Sequence, residues 1–336
     1  MPTEQPNREF KKMIKLTSYP TVTRGGVIWV YMGPSEVKPE LPDFEWSYLP
    51  PKQRTEIKRL QQCNWAQTVE GGIGSSHVSF LHSQISGEAE LNFGRKMLNV
   101  MTNDRHPVFQ TEETNYGLLI VARRNAGEDS FYWRITQCLM PFYNMIPPGL
   151  QDGDLDTRTA PYAGHAWVPI DDENTWTWSF SANAHEAFSD QLKEIQGGKN
   201  GMWGPVDDSF LPLYNQSNDF GLNRRRQRNL TYTGIEGIPN QDAAVQESMG
   251  RIVDRSLEKL GTSDSGIIAW RKRILKMAKD LQKGIEPPEA SNHTSYNVRS
   301  VTMIRNRQAD WKNEVQELMK GLLPDERPST SGMGVR

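Results

Sequence analysis

Alternating apolar and polar positions predict β-strands through the first half of the chain. Residues 26–33 are rich in β-branched and aromatic side chains in alternation, a pattern typical of strands. Four stronger segments follow the same pattern, and we predict strands over 116–124, 130–138, 164–170 and 174–182. Short polar turns such as 125–129 and 171–174 leave no room for crossover helices. The predicted sheet is therefore antiparallel.

The strand over 174–182 also predicts which of its sides is buried. Its apolar side chains fall on one face and its hydroxyl side chains on the other: Trp176, Trp178 and Phe180 against Thr175, Thr177, Ser179 and Ser181. In a half-buried antiparallel sheet the apolar face packs on the core and the polar face meets water. We therefore expect the aromatic face inside.

Helical periodicity dominates the last third of the chain. In 264–283 apolar residues recur at helical spacing between a natural N-cap, Asp264, and a natural stop, Gly284. A second helix is predicted over 241–259, with a bend at Gly250. Strands first and helices last predict an α+β fold, in which helices pack on a curved antiparallel sheet.

Two other segments lack this periodicity. The segment 186–228 is predicted to be mostly loop, and its basic run is interpreted as a solvated face or a contact to an acidic neighbour: Arg224, Arg225, Arg226 and Arg228. The segment 324–336 is predicted to be a disordered tail.

Composition narrows the class of protein. The chain has 336 residues and a formal net charge of -2, which indicates neither a nucleic-acid partner nor an anionic membrane. No apolar run reaches the roughly 18 residues of a spanning helix, and the N-terminus has no signal-peptide pattern. Cys63 and Cys138 are far apart. They exclude a disulfide scaffold and a cysteine-ligated cluster, and they favour a cytoplasmic location.

Candidate chemistry is concentrated between residues 61 and 85. His77 and His82 lie five residues apart, a spacing that turns through about 140° on an ideal helix. If both bind one metal ion, the helix must end or bulge between them. The alternative is a pair of structural histidines. Ser75 and Ser76 can cap a short helix that carries His77.

The residues around these histidines resemble a known family. The segment 64–82, NWAQTVEGGIGSSHVSFLH, is similar to the iron-binding signature of the Rieske non-haem iron oxygenases, and most of all to the phthalate 4,5-dioxygenase group of oxygenase subunits. Further matches cover 19–34, 39–46 and 237–264. The resemblance implies a helix-grip-like catalytic domain with a mononuclear Fe(II) held by two histidines and one aspartate. Such a site activates O2 and inserts oxygen into an aromatic substrate.

By this resemblance the iron ligands are His77, His82 and Asp242, with Asp254 as the alternative carboxylate. Two imidazoles and a carboxylate on one face of iron leave open positions for O2 and substrate-side chemistry. Zinc accepts the same ligands and is the alternative metal. A hydrolase is disfavoured because no glutamate of the HExxH kind separates the histidines. Asn64 and Glu70 are expected near the iron without binding it.

Two departures from the family concern electron delivery. The resemblance implies a Rieske [2Fe–2S] domain, but the sequence has no C-x-H with a later C-x-x-H to hold the cluster. Residues 1–45 are interpreted as the C-terminal remnant of a Rieske domain and 46–323 as the catalytic domain. A late start codon, a gene fragment and a natural split stay open as origins.

The second departure is Gly74, where the family has an aspartate that hydrogen-bonds a ligand histidine and links it to the cluster of a neighbouring subunit. Loss of such a partner commonly costs about 10–100-fold in affinity or activity. Glycine has no side chain for either task. A degenerate, non-catalytic relative that keeps the fold and a ligand cavity is therefore the alternative function.

Substrate and partners follow from the resemblance alone. A phthalate-like dianion is best recognised by arginine, and Arg105 and Arg134 are the candidates. An electron-donating reductase and a homotrimer or hexamer are expected from the family. Dioxygenation, monooxygenation and demethylation are not distinguished by the sequence.

Overall fold

The computed structural model describes residues 10–85, 100–101, 103–150, 153–197, 201–322 and 324. Its strands are β1 (Thr21–Arg24), β2 (Val27–Val30), β3 (Arg54–Gln61), β4 (Val108–Glu113), β5 (Gly117–Asn125), β6 (Ser130–Leu139), β7 (Tyr143–Ile146), β8 (Tyr162–Pro169), β9 (Thr175–Ala182) and β10 (Val301–Asn306). Its helices are α1 (Phe10–Met13), α2 (Trp65–Ile73), α3 (Asp190–Gly197), α4 (Arg224–Asn229), α5 (Ile238–Ser248), α6 (Ser265–Leu281) and α7 (Trp311–Met319).

An eight-stranded antiparallel sheet forms the body of the described chain. Its strand order is β3-β9-β8-β7-β6-β5-β4, and β10 adds to β6. Along one edge of β6, β10 pairs with residues 130–135 and β7 with 137–139. The sheet therefore forks at this strand, and its two branches diverge from a shared centre.

Helices cover both faces of the central strands. On one face Leu118, Ile120 and Cys138 pack against α2 and α6, which contribute Ile73 and Trp270. On the other face Leu119, Val121, Trp133, Ile135, Val301 and Met303 pack against Val315 and Leu318 of α7. Successive side chains of a strand point to opposite faces. The strands β5 and β6 therefore contribute apolar side chains to the layers on both faces of the sheet. No helix in the described part of the chain is long and apolar enough to cross a bilayer.

The N-terminal strands β1 and β2 form a separate antiparallel hairpin. Trp29 packs against an aromatic cluster that contains Phe44, Trp46 and Phe180. Trp46 stacks on Phe180 of β9 with 4.5 Å between ring centroids. The hairpin is thus tied to the main sheet by aromatic contacts. The boundary between residues 45 and 46 as a domain limit stays a prediction.

The five predicted strands are confirmed with bounds shifted by a few residues at most, whereas four strands of the main sheet were missed. These are β3, β4, β7 and β10. In β3, RTEIKRLQ, charged side chains interrupt the apolar alternation. In β7 and β10 the strands are short and lie beside longer partners. Their pairing depends on tertiary contacts that local patterns do not encode.

The hydroxyl face of β9 is buried, against the prediction, whereas on the aromatic face Phe180 is buried as predicted. Thr175, Thr177, Ser179 and Ser181 are buried, while Trp176 and Trp178 are half-buried. The buried hydroxyls are satisfied by hydrogen bonds, as when Thr175 donates to the carbonyl of Cys63 at 2.8 Å. On the other face the Lys58 ammonium lies 4.2 Å from the ring centroid of Trp176. Hydrogen bonds can thus bury a polar face that periodicity assigns to solvent.

The predicted helix over 241–259 is wrong at both ends. Helix α5 begins at Ile238, with Pro239 in its first turn, and ends at Ser248. Gly250 has a φ of +96°, which ends the helix instead of bending it. The segment 186–228 also contains α3 and α4 and is not loop throughout. Helix α6 confirms the prediction over 264–283. Of the predicted tail, 324–336, all but residue 324 lies outside the described residues.

Helix α5 is attached to the sheet mainly through polar groups. Arg59 of β3 donates to the Asn240 side chain at 2.9 Å and to the Pro239 carbonyl at 2.7 Å. The buried side chains of Gln61 and Gln246 hydrogen-bond to each other. At the end of α5, burial raises the pKa of the Glu247 carboxyl, although the Gln62 N–H and the charges of Arg59 and Arg251 oppose that rise. The helix therefore has a fixed register but includes one poorly solvated carboxyl.

We predict that Gly72→Ala destabilises the protein by about 1–3 kcal/mol, the usual cost of overpacking. A Cβ at Gly72 would overlap the Trp167 ring and the Asn144 amide, so α2 would have to move away from β7 and β8. The matched control is Gly74→Ala, since a Cβ there meets nothing closer than the Glu70 carbonyl at 3.8 Å. Urea unfolding of both variants measures the difference, and equal stabilities would contradict this packing.

We predict that Glu247→Gln stabilises the protein at neutral and alkaline pH but not in acid. The carboxyl has a raised pKa in the folded state, so its contribution to stability is full below the unfolded pKa and is lost as pH rises through the folded pKa. Glutamine keeps an acceptor for the Gln62 N–H, which lies 3.2 Å from the carboxyl. Thermal unfolding midpoints across the pH range measure the effect.

Glu258→Gln provides the control of opposite sign. Hydrogen bonds from Arg271 lower the pKa of the Glu258 carboxyl, so its contribution is present above the unfolded pKa and is lost as pH falls. This variant should lose stability at neutral pH. A Glu247→Gln midpoint equal to that of the parent at every pH would contradict the burial argument.

Candidate metal centre

The chain passes from an α-helix to a short 3-10 turn that begins at the first candidate histidine. Helix α2 ends at Ile73, and the 3-10 turn, His77–Ser79, begins after three intervening residues. The Leu81 N–H donates to the His77 carbonyl at 2.7 Å. This turn brings the two imidazoles to 5.2 Å between ring centroids, with an interplanar angle of 77°. His77 begins this turn and His82 lies beyond its end, so no single helix carries both residues.

Asp242 of α5 completes a cluster with both histidines. Its Oδ1 lies 3.2 Å from His82 Nε2 and 3.6 Å from His77 Nε2. One ligand atom from each of the three residues lies within 4.8 Å of the others. Asp254, the alternative carboxylate, instead accepts hydrogen bonds from Ser256 and begins the turn Arg255–Leu257. It takes no part in this cluster.

In each imidazole the nitrogen that faces away from Asp242, Nδ1 (the outer nitrogen), already has a hydrogen-bond partner. His77 Nδ1 hydrogen-bonds to the backbone carbonyl of Gly74, and His82 Nδ1 hydrogen-bonds to Gln241 Oε1 at 2.8 Å. Both Nε2 atoms therefore face Asp242 with a lone pair available. Two neutral imidazoles and one carboxylate form a donor set that suits iron, zinc and related divalent metals. The residues present fit a mononuclear metal ion.

The three residues of the cluster shift one another's pKa values. Burial lowers the pKa of His77, and the positive charges of His82 and Arg134 add to that effect. Burial also acts to lower the pKa of His82, but the Asp242 charge and hydrogen bonds outweigh it and raise that pKa. Burial acts to raise the pKa of Asp242, but the histidines hold it below its usual value. The carboxylate is thus ionised and available as a ligand.

Gly74 keeps one of the two tasks that the resemblance gives to an aspartate. Its carbonyl, not a side chain, orients the His77 ring, which corrects the expectation that glycine can do neither task. A Cβ at this position would meet only open space apart from the Glu70 carbonyl at 3.8 Å. The orienting hydrogen bond is therefore present, while a carboxylate that could continue a relay is missing.

The described polar contacts of Asn64 and Glu70 are with groups outside the metal cluster. Asn64 accepts from the Ala66 N–H and caps α2. Glu70 accepts from Arg271 at 2.7 Å and from Arg255 at 3.0 Å. Among the described hydrogen bonds and ion pairs, neither side chain contacts His77, His82 or Asp242. Their nearness in sequence reflected the course of α2 and not the geometry of the site.

The two candidate substrate arginines lie in different surroundings. Arg134 of β6 is buried, and its positive charge adds to the burial that lowers the pKa of His77 and opposes the rise in the pKa of His82. Arg105 is exposed, with its guanidinium 5.8 Å from the centroid of the Phe80 ring. Arg134 therefore lies within electrostatic reach of the cluster, whereas Arg105 packs on the surface.

Sequence reasoning missed three residues around the cluster. Gln241 contacts His82 directly, and its position beside Asp242 on a helix was the available signal. His165 hydrogen-bonds Ser179 at 2.9 Å, and burial lowers its pKa to about 4 although the Asp242 charge opposes this. Arg124 donates to the Ser75 carbonyl at 3.2 Å and supports the turn that carries His77.

Comparisons with known proteins identify the family. Residues 30–326 match the family model described as LigXa C-terminal domain like. The chain is 30% identical to the 3-chlorobenzoate-3,4-dioxygenase oxygenase subunit of Comamonas testosteroni, over 96% of this chain and 76% of that protein. It is 34% identical to the phthalate 4,5-dioxygenase oxygenase subunit of Pseudomonas putida, over 81% of this chain and 61% of that protein.

The fold has a likeness among solved structures as well. Dicamba monooxygenase bound to dicamba aligns with a TM-score of 0.50 at 10% identity, over 79% of this chain and 70% of that chain. This likeness confirms the predicted fold class, an antiparallel sheet with packed helices. The sequence matches confirm the predicted resemblance, and the chain therefore belongs to the LigXa C-terminal-domain-like family of Rieske-type oxygenase subunits.

Proposed function

We propose that this chain is the catalytic domain of a Rieske-type oxygenase that acts on an aromatic carboxylate such as phthalate, with one Fe(II) bound by His77, His82 and Asp242. The observation that carries the proposal is the convergence of these three ligand atoms within 4.8 Å, from segments about 160 positions apart. Ferrous iron bound there would supply O2 activation. The protein supplies the orientation of the ligands and the surroundings of the substrate.

The ligand geometry supports a metal with open coordination positions. The three donors come from one side, since His77 and His82 lie on one turn and Asp242 on the facing helix α5. A structural zinc site closes its shell with four protein ligands, whereas this cluster offers three within the described residues. Three protein donors leave room for small molecules at the metal.

Arg134 is the residue we propose for substrate recognition. The planar guanidinium of arginine matches the geometry of a carboxylate. Arg134 lies close enough to the cluster to affect the protonation of both histidines. Two relatives are named for aromatic carboxylate substrates, 3-chlorobenzoate and phthalate. A carboxylate bound at Arg134 would hold the aromatic ring beside the metal.

The electrons for the reaction are proposed to come from a Rieske cluster and a reductase outside these 336 residues. Cys63 and Cys138 are both buried as free thiols, and burial raises the pKa of Cys63 to about 12. Neither is suited to ligate a cluster. We propose residues 1–45 as the last part of a Rieske domain, a homotrimer or hexamer as the assembly, and the cytoplasm as the location.

Gly74 supports a second candidate, a non-catalytic relative that keeps the fold and the ligand cluster. The carbonyl of Gly74 orients His77, but no carboxylate stands at this position to link the site to a neighbouring cluster. Such a chain would bind metal and aromatic acid without turnover. Metal and ligand binding therefore test the site, and turnover with an electron donor tests the oxygenase activity.

We predict that the purified chain binds one Fe(II) under anaerobic conditions and that His77→Ala and Asp242→Ala each abolish stoichiometric binding. Removal of one of three donors leaves a site that cannot hold the ion against water. Asp254→Ala is the matched control, since that carboxylate caps a separate turn, and it should bind as the parent does. Metal analysis and calorimetry measure both quantities.

An iron-free parent chain would contradict the proposed site. Zinc titrated in parallel distinguishes the alternative metal: a zinc complex that excludes iron and supports no aromatic-acid oxidation with added donor would remove the oxygenase proposal.

We predict that Arg134→Met weakens phthalate binding to the metal-loaded chain by about 1.5–3 kcal/mol, the usual contribution of a hydrogen bond to a charged group. Arg105→Met is the control and should change the affinity little, because that guanidinium is exposed on Phe80. Calorimetric titration with phthalate and with the neutral phthalamide separates charge from ring contacts. A phthalate affinity unaffected by Arg134→Met would rule out this recognition.

A further inference from the structure

His82 is held at both ring nitrogens by consecutive residues of one helix. Asp242 Oδ1 lies 3.2 Å from Nε2, and Gln241 Oε1 lies 2.8 Å from Nδ1. Adjacent residues on a helix project about 100° apart, so the two side chains pass along different sides of the imidazole. These two contacts fix the orientation of the His82 imidazole.

The Gln241 amide decides which nitrogen of His82 carries a proton. Gln241 Nε2 donates to the backbone carbonyl of Ile235 at 2.9 Å. A carbonyl oxygen accepts and cannot donate, so the NH2 group must face Ile235 and the amide oxygen must face His82. His82 Nδ1 is therefore the donor in this pair. In the neutral ring, Nε2 then carries the lone pair that faces Asp242.

This chain of hydrogen bonds is shielded from water. Gln241 and Ile235 are 3% and 6% exposed, and the side chain of His82 is 3% exposed. The backbone turns at Gly237, which has a φ of +80°, just before α5 begins. That turn brings the Ile235 carbonyl back to a residue of the first helical turns. A buried hydrogen bond without a competing water holds its geometry tightly.

The two histidines differ in this support. His77 donates to one backbone carbonyl, that of Gly74, and its side chain is 32% exposed. His82 is buried and rests on a side-chain amide that is itself anchored. Both outer partners are neutral carbonyl oxygens, so neither imidazole has a carboxylate on its outer nitrogen. Of the two candidate histidine ligands, His82 is consequently the more firmly held.

We infer that Gln241 is a positioning residue, which fixes His82 in the form with Nδ1 protonated and Nε2 free to bind iron. The inference rests on the proposed iron site. It extends that site by a residue whose side chain touches no metal or substrate. Helix α5 therefore positions the carboxylate of Asp242 and, through the Gln241 amide, determines which nitrogen of His82 is protonated.

Gln241→Met and Gln246→Met form a matched pair that tests this role. Methionine has nearly the volume of glutamine but does not donate or accept strongly. Both glutamines are buried on α5, and Gln246 hydrogen-bonds the Gln61 side chain away from the cluster. Gln241→Met loses the two buried hydrogen bonds to Ile235 and His82, and Gln246→Met, on the same helix, loses the buried hydrogen bond to Gln61. The loss reaches His82 in the first variant alone.

Two readouts are measured on each protein. Long-range 1H–15N NMR of the imidazoles in the metal-free chain, at a pH above the raised pKa of His82 so that its ring is neutral, reports which nitrogen carries the proton. Titration with Co(II), followed by its visible absorption bands, reports affinity and coordination geometry. We expect Nδ1–H on His82 in the parent and in Gln246→Met, and a mixture of both forms in Gln241→Met. The Co(II) affinity of Gln241→Met should fall by about 10–100-fold.

Each outcome has a distinct meaning. A parent His82 protonated at Nε2 overturns the inference without any variant, so the test stands even if Gln241→Met fails to fold. Parent-like affinity and tautomer in Gln241→Met also overturn it, as does an equal loss in both variants, which would trace to helix packing. If the parent binds no Co(II) or Fe(II), the proposed iron site fails, while the NMR result still decides the role of Gln241.

Discussion

The docking of α5 against β3 and α2 is the constraint on which the site depends. Metal ligands from this helix and from the turn after α2 are about 160 positions apart in sequence, so no local preference brings them together. The buried residues of α5 include Asn240, Gln241, Gln246 and Glu247, which are polar. Hydrophobic contact alone tolerates sliding, but directional hydrogen bonds do not. Arg59 and Gln61 fix the register of the helix, and the register places Asp242 opposite both histidines.

Glycine in α2 makes this docking possible. A Cβ at Gly71 would overlap the amide of Gln246, and one at Gly72 would overlap Trp167. The two residues therefore let α2 approach α5 on one side and β8 on the other. Glycine costs helix stability, by roughly 0.5–1 kcal/mol each relative to alanine. The close approach offsets this cost because it buries Val69 and Ile73 in the apolar layer beneath.

Much of the fold was predictable because its central elements follow simple periodicity. Strands β5, β6, β8 and β9 and helix α6 match their patterns closely. Prediction failed where polar groups are buried. The hydroxyl face of β9 faces inward because Gln61, Ser179 and their neighbours satisfy one another. Strand β3 carries charged residues because Arg59 anchors α5 and Lys58 covers aromatic rings. These uses of polar side chains depend on partners distant in sequence.

The metal site shows the same division between features that the sequence predicts and features that depend on partners distant in sequence. The identities of the three ligands followed from resemblance, but the sequence alone placed the histidines about 140° apart on a helix. It also counted Gly74 as a loss, since a comparison of side chains cannot see a carbonyl. Asn64 and Glu70 were assigned to the site by nearness in sequence, and the structure gives them structural partners instead. Gln241 was overlooked although it precedes Asp242, because its role depends on the Ile235 carbonyl behind it.

Charge balance connects the ligands to the substrate. The two histidines are neutral as ligands and Asp242 carries one negative charge, so a ferrous ion in the cluster leaves a net charge of about +1. Arg134 adds a buried positive charge nearby, which disfavours the protonated form of both histidines. Two like charges in a medium of low polarity repel each other. An aromatic carboxylate placed between them removes that repulsion. Because such coupling is reciprocal, an aromatic carboxylate bound as proposed would strengthen metal binding as the metal strengthens binding of the anion.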